Sequence, residues 1–532
     1  MDKRHYVYLL RCADGSLYTG MTPDIARRLR QHVARLPGCA KYTRSHPVTA
    51  LALLLTTDTA TTARQLEARI KRLTRAQKDA LIADPACLPD LCPALAGADI
   101  RPVPDAKLAD HLPNMTREER GAEYTRVRQE FELWKAKGLK LNMARGKPGK
   151  QQLDLVSDIF SLMQDPQDYV SDGIDVRNYG ELSGLPAAKR LFAEILGCRP
   201  WQVFVGGNAS LQLMYDTISK GYTHGLLHSP RPWCREENIK WLCPAPGYDR
   251  HFKVTESFGF ELITIPMTDE GPDMDAVEEA VKDSAVKGIW CVPKYSNPDG
   301  IIYSDKVIRR MAALKPAAPD FTIMWDNAYC IHEFEGDYVK FPDILALCEQ
   351  AGNPDMVFEF ASTSKVTLPG GGISCFACSE ANMAYMEKLL SIQVISFDKV
   401  NQQRHVLYLK DKAHTLELMK KHAAIMGPKF RCVVDALDRE IAPLEIASWR
   451  RPKGGYFVSL NAMPGTAKRT LALCKEAGVT MTGAGATFPY GKDPQDSNIR
   501  IAPSLPPVEE LEQAIAVLCV CLKMAALEKL GV

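Results

Sequence analysis

From about residue 115 to the end of the chain, short strand-sized apolar runs recur between longer segments of helical spacing, and this alternation constrains the fold more than any other feature. The runs lie at residues 202–206, 261–265, 288–292, 322–325 and 357–360. Strands joined through helices favour a mainly parallel sheet with helices on both faces. Such α/β folds present ligand-binding side chains at the carboxyl ends of the strands. No internal repeat or low-complexity block interrupts the pattern.

The first 82 residues follow different rules. Residues 6–10 read as a strand, 13–16 as a hairpin turn and 17–20 as the return strand. Residues 24–32 and 61–75 carry apolar positions at helical spacing with basic faces, which Lys71, Arg72, Arg75 and Lys78 extend. This segment holds 15 Lys and Arg against 6 Asp and Glu, a net of +9, whereas the remaining 450 residues hold 51 against 58, a net of −7. A small basic module ahead of a mildly acidic body is the electrostatic footprint of a polyanion binder. Between them Pro85, Pro89, Pro93, Pro102, Pro104 and Pro113 lie among Ala, Asp and Leu, which predicts a loosely structured linker. The expected division is a module at 1–82, a linker at 83–112 and a body at 113–532.

With 46% hydrophobic residues in 532, the chain can bury more than one core. No stretch approaches the roughly 20 apolar residues that span a bilayer, and the start lacks a signal-peptide core. A soluble, cytoplasmic protein with no membrane partner is expected. The 16 cysteines form no paired framework; Cys375 and Cys378 sit in an apolar run and read as core thiols, so all sixteen are expected to be reduced.

The chemistry is concentrated in the body. Lys365 lies in Ser362-Thr363-Ser364-Lys365, with Asn297 and then Asp326 and Tyr329 before it and Arg500 after it. Lysine can form a Schiff base with an aldehyde, and an aspartate paired to a pyridinium nitrogen makes that ring an electron sink. Each motif alone is weak, being first a turn or a strand end, but Asn297, Asp326 and Lys365 each fall just after a predicted strand. Together with Ala144-Arg145-Gly146-Lys147-Pro148, Asn178-Tyr179-Gly180-Glu181, Gly206-Gly207-Asn208-Ala209-Ser210, Pro246-Gly247-Tyr248-Asp249 and residues 485–491, they resemble the fold-type I aminotransferases, most closely the class I gamma aspartate aminotransferases.

That resemblance implies pyridoxal 5′-phosphate as cofactor and a fold-type I body with a large, mainly parallel sheet domain and a smaller α/β domain. It also implies a homodimer acting on amino acids and 2-oxo acids. Lys365 would carry the cofactor and move the substrate proton, and Asp326 would hold the pyridine nitrogen protonated. Asn297 and Tyr329 would donate to the phenolic oxygen, and Tyr248 would stack on the ring. Arg500 would grip the α-carboxylate with its rigid fork of donors. Asn208, Ala209, Ser210 and Ser362 would bind the phosphate at a helix start, with Tyr179 reaching in from the neighbouring subunit. Arg145 or Lys147 would supply the cation for a second carboxylate; the alternative is that both are solvated loop charges. Many relatives carry a phosphate-binding arginine after the lysine, where this chain reads Pro369-Gly370-Gly371-Gly372.

In the amino-terminal module Tyr6-Val7-Tyr8 and Tyr18-Thr19-Gly20 are followed by Arg28, His32 and Glu67. This spacing resembles the GIY-YIG nuclease family, with Tyr6 where the family name has glycine, and implies a small α+β domain. Phosphodiester hydrolysis needs a base, a cation for the transition-state charge and a carboxylate-held metal. By resemblance Tyr18, Arg28 and Glu67 fill those roles, with Mg²⁺ or Mn²⁺ on Glu67 and DNA or RNA as partner, assisted by Tyr8 and His32. The bland reading is cross-strand tyrosine packing and a solvated helix face. The leading function is thus an aspartate:2-oxoglutarate transaminase fused to a nucleic-acid-binding module. The alternatives are an endonuclease with the aminotransferase body as scaffold, or a DNA-bound regulator using it as sensor.

Overall fold

The computed structural model describes residues 4–33, 39–95, 97–103 and 115–532, the side chains of Ala26 and Arg30 excepted. The chain divides into two compact units, Met1–Met115 and Thr116–Val532.

In the first unit β1 (His5–Cys12) pairs antiparallel with β2 (Leu17–Thr22), and then come α1 (Ile25–Val33), α2 (Lys41–Ser45), β3 (Val48–Thr57), α3 (Ala60–Arg72), α4 (Arg75–Ala83) and β4 (Ile100–Pro102). The sheet order is β2-β1-β3-β4, antiparallel throughout. Period-two alternation sends Val7 and Leu9 to one face, where they meet Leu55, Ala63, Leu66 and Ile70. Tyr8 and Leu10 go to the other face and meet Leu29 and Leu54. α3 starts where Thr59 accepts from the Thr62 amide, and α4 starts in a capping box of Thr74 and Gln77.

The proline-rich run expected to be a loose linker carries regular elements within 83–95 and 97–103. Pro85 and Pro89 open successive helical turns at Pro85–Cys87 and Leu88–Leu91, because proline fits the first helical turn. Leu88 and Cys92 are buried in the unit's core, and Ile100–Pro102 adds β4 to β3. The prolines here punctuate short elements, and the apolar residues between them supply the burial that holds them down. The rest of the expected linker, from Pro104, lies outside the described residues.

The second unit contains α5 (Arg117–Ala136) and an eight-stranded sheet. Its strands in chain order are β5 (Val203–Val205), β6 (Lys240–Ala245), β7 (Glu261–Thr268), β8 (Gly271–Pro272), β9 (Val286–Cys291), β10 (Thr322–Asp326), β11 (Val357–Ser362) and β12 (Ser374–Ala377). The order across the sheet is β8-β7-β6-β9-β10-β11-β12-β5. β7, β6, β9, β10 and β11 run parallel, and β8, β12 and β5 pair antiparallel. The central strands are buried end to end, which is why they read as continuous apolar runs rather than alternating ones. A smaller sheet of β13 (Ala447–Trp449), β14 (Val458–Ala462) and β15 (Asn498–Ile501) follows the long helix α8 (Lys412–Glu440). The chain closes with α9 (Val508–Leu530), buried on nearly every side from Leu511 to Leu527.

Among the described residues no helix is long and apolar enough to cross a membrane. All sixteen cysteines are free thiols, and Cys375 and Cys378 are buried.

Because Leu88 closes the first unit's core, Leu88→Ala is expected to cost that unit about 2–4 kcal/mol. Denaturant unfolding of residues 1–103 checks this; an unchanged midpoint would mean that the run does not belong to the core.

Candidate functional site

In the larger unit the carboxyl ends of the parallel strands converge. Asp326 is the last residue of β10 and is buried. Its Oδ2 accepts a 2.9 Å hydrogen bond from His251 Nε2, whereas its equally buried Oδ1 has no partner. His251 lies on α7 (Asp249–Ser257), its ring stacked on Trp290 at 4.5 Å and met edge-on by Tyr248 at 4.8 Å. An orphaned carboxylate oxygen in a dry site is costly unless a donor arrives from a ligand.

Lys365 follows β11. Its Nζ lies 5.0 Å from the centre of the Tyr329 ring and 5.9 Å from that of Tyr456, and these two rings stack at 6.0 Å. Burial pulls the Lys365 ammonium below its ordinary pKa, with the Asp326 charge opposing. The same burial pushes the Tyr329 phenol well up, so it stays a donor. Tyr456 is held from behind by Gln152 at 3.0 Å, which also meets His422, and His422 Nε2 donates to the Val366 carbonyl.

Arg500, on β15, brings the small sheet to the site. Its Nη1 donates to Asp249 at 2.8 Å and to Asn297 Oδ1 at 3.3 Å, and the Phe457 ring lies 4.8 Å from its Cζ. Gly454 and Gly455 make this approach feasible: a Cβ at either would stand 2.6 or 2.9 Å from Tyr295 atoms. With its oxygen taken by Arg500, Asn297 has its amide nitrogen left to offer.

The Gly207-Asn208-Ala209 turn leads into α6 (Ser210–Thr223), whose cap residue, Ala209, has no side-chain acceptor for the first amides. The Lys365 loop packs beside it. Ser362 donates to Ser364, Ser364 donates to the Asn208 carbonyl at 3.5 Å, and Ser374 donates to the Gly207 carbonyl. At Gly372 a Cβ would stand 2.8 Å from Thr363 Oγ1 and 3.0 Å from the Leu368 carbonyl oxygen, which leaves no room there for a side chain. Taken together, a buried lysine, an aspartate with one open oxygen, two donors beside it and an amide-lined helix start fit pyridoxal phosphate.

Arg145 and Lys147 are exposed, and the backbone between them rests on Phe457, where a Cβ on Gly146 would stand 2.5 Å from the ring. They therefore lie beside the ring that flanks Arg500. Tyr179 is 77% exposed in its own chain. Sequence reasoning missed His251, Tyr456 and Asp249. His251 had a usable signal, three residues past Tyr248 on one helix face; Tyr456 had none, since it comes from the small domain.

Next to Asp326, the Asn327 amide donates to Glu359 at 2.9 Å on the neighbouring strand. Burial raises Glu359 to about 8, with the Asn327 bond opposing.

In the smaller unit Tyr8 and Gly20 are register partners, and the Tyr8 ring lies over Gly20, where a Cβ would stand 2.4 Å from the phenol oxygen. The Thr43 hydroxyl donates to the Ala40 carbonyl, so it accepts from His32 Nδ1 at 2.7 Å. His32 Nε2 then accepts the Tyr8 proton at 2.8 Å, while Arg28 Nε donates to the Tyr8 oxygen at 3.2 Å. Burial lowers His32 to about 4 and raises Tyr8 to about 12, so both are neutral near pH 7. Tyr18 packs on His32 at 5.1 Å and Tyr42 at 6.2 Å. Glu67 pairs with Lys71 at 2.8 Å. Among the described residues no group of three or more His, Cys, Asp or Glu could hold a metal.

Comparison with known proteins gives matching results. The family described as "Aspartate amino-transferase" matches residues 115–532, and the GIY-YIG catalytic domain matches residues 4–80. The chain is 46% identical over 402 residues to an aspartate aminotransferase of Corynebacterium glutamicum, covering 76% of this chain and 93% of that one. A crystal structure of an aspartate transaminase from that organism superposes with a TM-score of 0.78 at 44% identity, covering 79% of this chain and all of that one. A UPF0213 protein of Halobacterium salinarum is 44% identical over 77 residues, which is 14% of this chain and 97% of that protein.

A carboxyl raised to about 8 binds a proton on folding, so its contribution is full below the unfolded value near 4.3 and is lost as pH rises through 8. Glu359→Gln, which keeps the Asn327 acceptor without the acid, should gain in melting temperature relative to wild type between pH 6 and pH 8.5. A pH-independent difference would show that Glu359 does not titrate with folding.

Proposed function

Since the chain belongs to the aspartate aminotransferase family of pyridoxal phosphate enzymes over residues 115–532 and carries a GIY-YIG catalytic domain over residues 4–80, we propose an aspartate:2-oxoglutarate transaminase joined to a metal-dependent nucleic-acid-cleaving module. The observation that carries the first half is Asp326, one oxygen paired to His251 and the other buried and open.

Bound pyridoxal phosphate supplies an aldehyde and an electron-withdrawing ring. Asp326 Oδ1 would accept a hydrogen bond from the protonated ring nitrogen, and His251, donating to Oδ2, holds the carboxylate in place. Lys365, whose charge is disfavoured by burial, is available as an amine to take and return the substrate Cα proton. Tyr329 and the Asn297 amide hold the phenolic oxygen. The start of α6, with Ser210 and Ser362, would hold the phosphate through amides and hydroxyls. Arg500 receives the α-carboxylate.

Dicarboxylate preference is supported by the name of the Corynebacterium relative and by Arg145 and Lys147 flanking Phe457. A homodimer is supported by the exposure of Tyr179, Ile392 (81%) and Ile395 (65%), three large apolar side chains that a second subunit would cover.

In the amino-terminal module the proposal rests on Tyr8, Tyr18, Arg28 and His32 forming one cluster on a domain of net charge +9. Tyr18 would act as base, Arg28 would stabilise the phosphorane charge, and Glu67 would leave Lys71 for Mg²⁺ or Mn²⁺. Magnesium commonly takes one or two protein carboxylates and completes its shell with water and substrate phosphate.

Lys365→Ala is expected to lower turnover by roughly 10²- to 10⁴-fold or more, the scale of losing a positioned acid–base group, with unchanged far-UV circular dichroism. In a donor panel with 2-oxoglutarate, aspartate should show the highest kcat/KM. A neutral or aromatic donor in first place would refute the substrate assignment and leave the aminotransferase class intact.

The full chain should bind DNA or RNA with affinity falling steeply as salt rises. Nicking with Mg²⁺ or Mn²⁺ should vanish in Arg28→Ala and Glu67→Ala, while Glu67→Ala still binds. Equal background cleavage by wild type and both variants would leave a docking module without nuclease chemistry.

A further inference from the structure

Arg500 is buried, with 7% of its surface exposed, and a buried guanidinium needs a counter-charge. Among the described residues its carboxylate partner is Asp249, which meets Nη1 at 2.8 Å. Asn297 Oδ1 takes the same nitrogen at 3.3 Å, and Phe457 covers one face. Nε is buried and has no partner, and Nη2 donates to no described residue. The guanidinium is thus tied down at one corner, and the Nε–Nη2 edge, which binds a carboxylate through two parallel hydrogen bonds, is left open.

We propose that Asp249 is a resident positioning carboxylate that sets how tightly Arg500 holds the carboxylate of its substrates, an inference that rests on Arg500 receiving that group. Anchoring Nη1 aims the open edge. It also means that one positive charge serves two carboxylates whenever substrate is bound. The second carboxylate is repelled by the first across the guanidinium, so affinity lies below what Arg500 alone would give. A transaminase admits and releases two different acids in each cycle, and a weakened grip favours that exchange. Asp249 suits the part: it is the first residue of α7, on the helix that also carries His251, so its backbone is fixed by the element that supports Asp326. Its side chain is 29% exposed, so solvent reaches it only in part.

The test is titration of the full-length, pyridoxal phosphate-loaded protein with two non-reacting carboxylates, maleate and 3-phenylpropionate, followed by the cofactor's absorbance. Asp249→Asn keeps an oxygen for Nη1 and removes the charge. It should tighten binding of whichever probe the wild type binds by roughly tenfold, the scale of one like charge removed a few ångströms away in a partly buried site. Asp249→Ala, lacking the anchor, should tighten binding less than Asn. In the Arg500→Ala background, where binding is expected to be lost, Asp249→Asn should not restore it. Damage to the fold would weaken binding, so tighter binding separates this role from a structural one. Unchanged or weaker binding by Asp249→Asn, with binding still lost in Arg500→Ala, overturns the inference alone. Equal binding by wild type and Arg500→Ala removes Arg500 from the site and the inference with it.

Discussion

A carboxylate buried at the end of a parallel strand is the constraint around which the larger unit is arranged. Asp326 is almost wholly removed from water, and a charge placed there is unfavourable unless hydrogen-bond donors replace the lost hydration. His251 supplies one donor and Trp290 holds its ring by stacking. The second oxygen remains open for a ligand's N–H. Satisfying this one side chain draws on β9, β10 and α7, which the parallel sheet brings to the same edge. Lys365, from the loop after β11, then stands within the field of that charge, which partly offsets the effect of its burial.

The smaller unit solves a related problem without a buried charge. Tyr8, His32 and Thr43 form a chain of neutral hydrogen bonds whose direction is set by the Thr43 hydroxyl donating to a backbone carbonyl. Arg28 is the one charged member, and it reaches the chain from α1 at the Tyr8 oxygen. The glycine of Tyr18-Thr19-Gly20 has a steric purpose, since any side chain there would strike Tyr8 across the strand pair. A motif that reads as a string of letters is, in space, a ring laid over a bare backbone.

The arrangement also explains why Arg500 could be read from sequence as a ligand-binding residue and Asp249 could not. Arg500 belongs to the set of motifs that carries the family resemblance, and its role came with that set. Asp249, by contrast, sits at the first position of a helix, where acidic residues are common for reasons of capping and dipole alone. Its pairing spans 251 positions of sequence and joins the small sheet to α7.

Local pattern was enough to reveal the alternating architecture and the hairpin at the start, because periodicity and turn chemistry are properties of neighbours in sequence, whereas the site residues were assigned through motifs that resemble known families. It misjudged residues 83–95 and 97–103, since proline content reports local stiffness and says nothing of whether Leu88 and Cys92 find a core to enter. It left open the tautomer of His32, the open oxygen of Asp326 and the counter-ion of Arg500. Those are decided by burial and by contacts between distant segments, which exist only once the sheets have formed and water has been excluded from between them.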